Sequence, residues 1–182
     1  MKKFLFVTAV ILLPYVATSA DLPPAKYIEK DACPFECCTY GVWNTIADTV
    51  AYAAPNKNAK VVGFLKASDI VEAITGEVHS SPVRFVVKKP HAKYKPGDVL
   101  WVYTYGGEGI FGVWRNGEMQ YDELGFSPYG GSSGTRCENE EHCWGELEKE
   151  LEFSWWVKLR SKEGWEGWSD QPDNFGNKDA CG

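Results

Sequence analysis

The sequence predicts an all-β, disulfide-stapled fold, and three observations carry that expectation. Apolar and polar residues alternate over short runs closed by turn residues, as in Val157-Lys158-Leu159-Arg160 before Ser161-Lys162-Glu163-Gly164. The chain holds 8 Trp, 9 Tyr, 9 Phe and 18 Gly, a mixture that favours strands joined by tight turns. Six cysteines sit in a chain whose beginning reads as an export signal, the setting in which cysteines pair.

That signal spans residues 1–20. Lys2 and Lys3 form a basic start, Phe4 to Leu13 a short apolar core broken by Pro14, and Thr18-Ser19-Ala20 a small-residue cleavage site before Asp21. The apolar run is too short to span a bilayer comfortably, and no later run is long and apolar enough, so no membrane span is expected after cleavage. Removing residues 1–20 takes away two lysines and no acid, moving the formal charge from −6 to −8. An acidic chain argues against a nucleic-acid partner, which needs a basic face.

From residue 21 to residue 48 the sequence reads as a Pro-containing extended lead-in, a compact turn at Cys33-Pro34-Phe35-Glu36-Cys37-Cys38, and a first strand over Thr39–Trp43. Val50 and Tyr52 alternate in the next strand, and Pro55-Asn56-Lys57-Asn58 is a loop. Val61 to Leu65 is a strand, Ala67-Ser68-Asp69 a turn, and Ile70 to Thr75 a further strand ended by Gly76. Trp155–Trp168 reads as two strands closed by the turn at Gly164. A lone hairpin is marginal in water, so these strands need a partner sheet from earlier in the chain.

The run from Ala53 to Leu65 (A-A-P-x3-A-K-V-V-G-x-L), the strand Ile70–Thr75 and the closing Trp156–Trp168 (W-V-K-L-R-x3-G-W-E-G-W) resemble the bacterial SH3 domain family. The resemblance implies a small SH3-like barrel whose first half is residues 49–79 and whose second half, with a tail, is residues 155–182. Gly167-Trp168 then marks the strand that closes it. Ser68-Asp69 stands where the family usually has Gly-Asp or Gly-Thr. Residues 80–154 stand where the family has a short loop, and such a length without structure of its own is improbable. This β-rich insertion has strand signals at Val83–Lys88, Val99–Tyr105 and Ile110–Trp114, with turns at Lys95-Pro96-Gly97-Asp98 and Arg115-Asn116-Gly117-Glu118. It reads either as a second, degenerate SH3-like unit or as an elaborated sheet packed on the first. Gly125 to Arg136 reads as a surface loop, and Leu147 and Leu151, four apart, as one or two helical turns. The tail from Gln171 wanders unless Cys181 is bonded.

Six cysteines allow many pairings. The expected set joins Cys33 to Cys38, Cys137 to Cys143, and Cys37 to Cys181, because adjacent Cys37 and Cys38 rarely pair with each other. A zinc site lacks a second matched cysteine pair or nearby histidines, so no metal and no cofactor are expected.

No catalytic constellation stands out. His79, His91 and His142 are the only histidines, and His142 beside Cys143 is a sequence neighbour rather than a dyad. No G-x-S-x-G or H-E-x-x-H motif occurs. Glu138, Glu140 and Glu141 read as a solvated acidic loop before a cation site. Aromatic residues make the better case for a site. Trp101, Tyr103 and Tyr105 share one strand face, Phe111 and Trp114 lie on the return strand, and Trp156 points away from Val157 and Leu159. With Glu108 and Trp168 they form the candidate ligand-binding set, against the plain alternative that large aromatics fill the interior. The expected function is a non-enzymatic, periplasmic or secreted binding protein. The resemblance implies a cell-wall (peptidoglycan) peptide or other extended ligand. The rivals are a structural or inhibitory partner of another exported protein, and a hydrolase using carboxylates of the insertion.

Overall fold

The computed structural model describes residues 22–107, 109–124 and 144–181. Within them the chain is all-β, apart from a short 3-10 helix at Pro172–Asn174. Five strands come first: β1 (Tyr27–Lys30), β2 (Gly41–Thr45), β3 (Thr49–Tyr52), β4 (Val61–Leu65) and β5 (Ile70–Ser80). The next five, β6 (Val83–Val87), β7 (Val99–Gly107), β8 (Ile110–Arg115), β9 (Glu118–Glu123) and β10 (Gly145–Leu147), build a separate sheet. The last three, β11 (Phe153–Arg160), β12 (Glu166–Ser169) and β13 (Phe175–Gly176), return to the first.

The first sheet runs in the order β13-β2-β5-β11-β12-β3-β4, all neighbours antiparallel. β5 is its spine. β11 lies along one edge from Glu72 to Ser80, while β2 and β1 share the other edge end to end, at Ile70–Ala73 and Glu77–Ser80. Alternation along β11 sends Trp155, Val157 and Leu159 into a core with Trp43, Leu65, Val71, Ala73, Val78 and Phe175. Strands distant in the sheet order, β2 and β4, both reach this core, so the sheet curls into a half-barrel. Each fully buried side chain of this size contributes about 1.5–3 kcal/mol.

The turns follow local chemistry. Gly164 has φ +88° between β11 and β12, where the Ser161 and Gly164 amides close the loop on Trp165 and Ser161 carbonyls at 2.9 and 3.1 Å. Asn116 and Gly117 both have positive φ, 53° and 87°, the pattern of a two-residue hairpin turn whose twist suits the flanking strands. At Ser68-Asp69 the non-glycine Ser68 takes φ +77°, and the Asp69 carboxylate accepts the Lys66 amide at 2.7 Å.

Three sequence expectations are corrected. β5 does not end at Gly76 but runs on to Ser80. At Gly76 the missing side chain makes room for the Tyr40 hydroxyl and the Trp155 indole, which occupy the space where a Cβ would sit. The stretch expected to be helical before residue 152 holds β10, paired to β6 through Gly145↔Val87. Gly145 lies flat against that strand, because the Phe85 ring occupies the space of a Cβ. Tyr27–Lys30, expected as lead-in, is a strand. With Cys181 bonded to Cys37, the condition set for an ordered tail is met: β13 pairs with β2 and Phe175 enters the core.

The second sheet runs β10-β6-β7-β8-β9, with its own core of Val83, Phe85, Leu100, Val102, Phe111, Val113, Trp144 and Leu147 among others. His91 and Tyr94 lie parallel to the Trp144 ring at centroid distances of 4.3 and 5.3 Å. β1 joins the two sheets. It is hydrogen-bonded to β5, while Tyr27 packs edge-on to Tyr103 of β7 at 5.6 Å and Glu29 accepts the Tyr121 hydroxyl of β9 at 3.0 Å.

Candidate functional site

A concavity forms where the two sheets meet, and its wall starts from the cysteine turn. Cys33 is bonded to Cys38, and Cys37 to Cys181. The Ala32 amide donates to Gly76 O at 3.1 Å, the Cys38 amide to Phe35 O at 3.1 Å, and the Thr39 amide to Lys178 O at 3.0 Å. Proline, two bridges and these bonds hold Pro34-Phe35-Glu36 as a fixed turn over the start of β11, with the Phe35 ring edge-on to Trp155 at 5.8 Å. Facing it is the far end of the β7–β8 hairpin, Tyr105, Gly106 and Ile110, and between them lies a cleft of about 500 Å³ floored by Val78 and Phe153.

Two shallower depressions adjoin it. One, of about 570 Å³, is also lined by Pro34, Phe35 and Phe153 and extends over Ser154 and Trp155 to Asp170, Pro172, Asp173 and Lys178. The other, of about 600 Å³, shares Phe153 and Ser154 and extends over Trp156, His79, Asn56, Ser81 and Lys26. All three therefore meet at Phe153, the first residue of β11.

The first cleft carries acids, whereas the adjoining depressions carry acids paired with lysines. Glu29 and Glu36 are the only charged residues of the first cleft among the described residues. Asp170 pairs with Lys57 at 2.8 Å, Asp173 with Lys178 at 3.1 Å, and Glu152 with Lys149 at 3.5 Å. Glu36 is exposed and makes no ion pair with a described residue. Partial burial, and then the Glu29 carboxylate it donates to, push the Tyr121 hydroxyl well above the usual phenol range. The Tyr121 hydroxyl donates to Glu29 at 3.0 Å.

No protein-family model, curated protein or solved structure matches the chain. The site therefore rests on its own geometry.

The residues singled out from sequence are dispersed over this structure. Tyr105 lines the first cleft, packs on Phe111 at 5.1 Å and accepts the Gly109 amide at 3.4 Å. Trp156 lines one of the shallower depressions, on the face opposite the core, yet it is only 4% exposed. Tyr52 and His79 cover its ring, at 6.0 and 6.3 Å, and Glu77 holds His79 Nε2 at 2.9 Å. Trp168 is half-buried on that face, opposite Lys158 and Tyr52. Trp101 and Trp114 face each other across β7 and β8, between Arg84 and Met119, away from the cleft. Tyr103 is fully buried, its hydroxyl donates to Pro24 O at the sheet junction, and burial pushes its pKa up to about 12. Glu108, Cys137 and Cys143 lie outside the described residues, as do the export signal and the acidic cluster at 138–141.

Sequence reasoning missed Glu29, Pro34, Phe35, Glu36, Ile110 and Phe153. One signal was present: an aromatic and an acid locked inside a short cysteine loop, where they cannot bury themselves. Among the described residues, Cys37, Cys181 and Asp179 bring possible metal ligands together, but the two sulfurs are bonded to each other and so are not thiolate ligands.

Proposed function

We propose that the protein is a non-enzymatic binding protein that takes an extended ligand, a peptide chain, along the depressions that converge on Phe153. The convergence is the observation that carries this reading. A small molecule needs one enclosed pocket, whereas three depressions sharing Phe153, two of them sharing Pro34 and Phe35, suit a chain crossing several shallow sites. The apolar walls supply burial, and the fixed cysteine turn limits the ordering cost on binding. We further propose that the first sheet is an SH3-like barrel split by the second. In support, β4, β5, β11 and β12 occupy the stretches whose sequence resembles that family. Export is supported by the two disulfides, and no helix among the described residues is long and apolar enough to cross a membrane.

The test is co-sedimentation with insoluble peptidoglycan together with binding to an immobilised peptide array. Both use the wild type, Ser154→Trp, and a Trp101→Ala/Trp114→Ala double variant. Ser154 is exposed where two depressions meet, so a tryptophan there blocks the path without entering the core. Binding to either matrix that falls about tenfold or more in Ser154→Trp and survives in the double variant supports the reading. Binding lost in the double variant and kept in Ser154→Trp, or retention on neither matrix, overturns it.

A further inference from the structure

We infer that the peptide segment read by the first cleft is basic, a lysine or arginine side chain set beside an apolar one. This rests on the peptide-binding reading above. The cleft wall is apolar on both sides, Pro34, Phe35, Val78 and Phe153 against Tyr105 and Ile110, and no Lys, Arg or His is among the described residues that line it. Its charges are the two carboxylates, Glu29 and Glu36. An apolar peptide would desolvate them without return, and an acidic one would add repulsion. A long basic side chain fits both features, because its methylene stem lies along apolar wall while its charged head reaches a carboxylate. Glu29 accepts the Tyr121 hydroxyl at 3.0 Å and keeps further acceptor capacity, and Glu36 sits on the disulfide-locked turn. Neither is neutralised by an ion pair with a described lysine or arginine. Beyond Phe153 the groove continues past Asp170 and Asp173, with Lys178 as the only cation among the described residues lining that stretch. Those two acids are already paired with Lys57 and Lys178, so the basic preference rests on Glu29 and Glu36 in the first cleft.

The experiment is fluorescence anisotropy of the full chain with three labelled peptides of equal length. One alternates lysine with valine, one has glutamine in place of lysine, and one has glutamate. The basic peptide is expected to bind about tenfold or more tightly than the glutamine version, with affinity falling as salt rises. Glu29→Gln/Glu36→Gln, which keeps the acceptor for Tyr121, is expected to remove most of that preference while leaving thermal unfolding unchanged. If the glutamine peptide binds as tightly as the lysine one and Ser154→Trp abolishes both, the groove stands and its basic preference is refuted. If none of the three binds, the preference and the peptide-binding reading fail together. A preference that persists in Glu29→Gln/Glu36→Gln also overturns the assignment, since the charge being read would lie elsewhere.

Discussion

Removing the bridge between Cys37 and Cys181 destabilises the protein far more than removing the one between Cys33 and Cys38, although the four cysteines are neighbours in space. The first closes a loop of 144 residues and the second a loop of 5. A cross-link acts mainly by restricting the unfolded chain, and the chain-entropy relation gives about 5 kcal/mol for the long loop and about 2 kcal/mol for the short one. The folded state keeps its tail in either case. The Thr39 amide still bonds Lys178 O at 3.0 Å, the Ala180 amide bonds Cys37 O at 2.9 Å, and Phe175 remains in the core. Either change therefore leaves the folded-state packing and hydrogen bonds much the same, and the difference lies in the unfolded ensemble. The assay is urea unfolding of Cys37→Ser/Cys181→Ser and of Cys33→Ser/Cys38→Ser, followed by tryptophan fluorescence. The expected signature is a midpoint drop at least twice as large for the first pair, with an increased denaturant slope because the unfolded chain expands. Equal costs, or a larger cost for the short loop, would refute the chain-entropy account and place the stabilisation in local native packing.

Three further outcomes are expected. Ser68→Gly stabilises by about 0.5 kcal/mol in thermal melts, because the φ of +77° is unfavourable for serine and free for glycine, less the extra entropy glycine loses on folding. Gly76→Ala destabilises by about 1–3 kcal/mol in the same assay, since its methyl group meets the Tyr40 hydroxyl and the Trp155 indole, both anchored in the core side of the sheet. The Tyr103 contribution is complete below pH 10 and is lost as pH rises from 10 to about 12, because there the unfolded chain has released a proton that the folded chain still holds. Tyr103→Phe, compared with wild type by urea unfolding at stepped alkaline pH, is expected to show a shallower decline and, near neutrality, a cost of about 1 kcal/mol for the lost bond to Pro24.

Local periodicity made much of the sheet structure legible. Val61–Leu65, Val99 onward and the Trp155–Arg160 stretch read as strands from alternation, and Asn116-Gly117 and Gly164 read as turns because a positive φ is cheap there. The pairing of Cys37 with Cys181 was also within reach, because vicinal cysteines leave few unstrained partners. What escaped depended on tertiary contact. Gly76 looks like a strand end until Tyr40 and Trp155 are seen to occupy its side-chain space. Gly145 looks like loop until Phe85 covers it. Trp156 points off the core side as its alternation requires, yet Tyr52 and His79, from two other strands, cover it. The groove could not be read at all, because Phe35, Phe153 and Ile110 are brought together by β5 and its two edges rather than by any local pattern.

Backbone amide mapping in solution tests the groove most directly. Titration of isotope-labelled protein with the lysine–valine peptide is predicted to shift the amides of Phe35, Glu36, Ile110, Phe153 and Ser154 together, in one saturable transition, and to leave Trp101 and Trp114 in place. Shifts centred on Trp101, Trp114 and Met119, with the Phe153 region silent, would contradict the account and move the binding surface to the outer face of the second sheet.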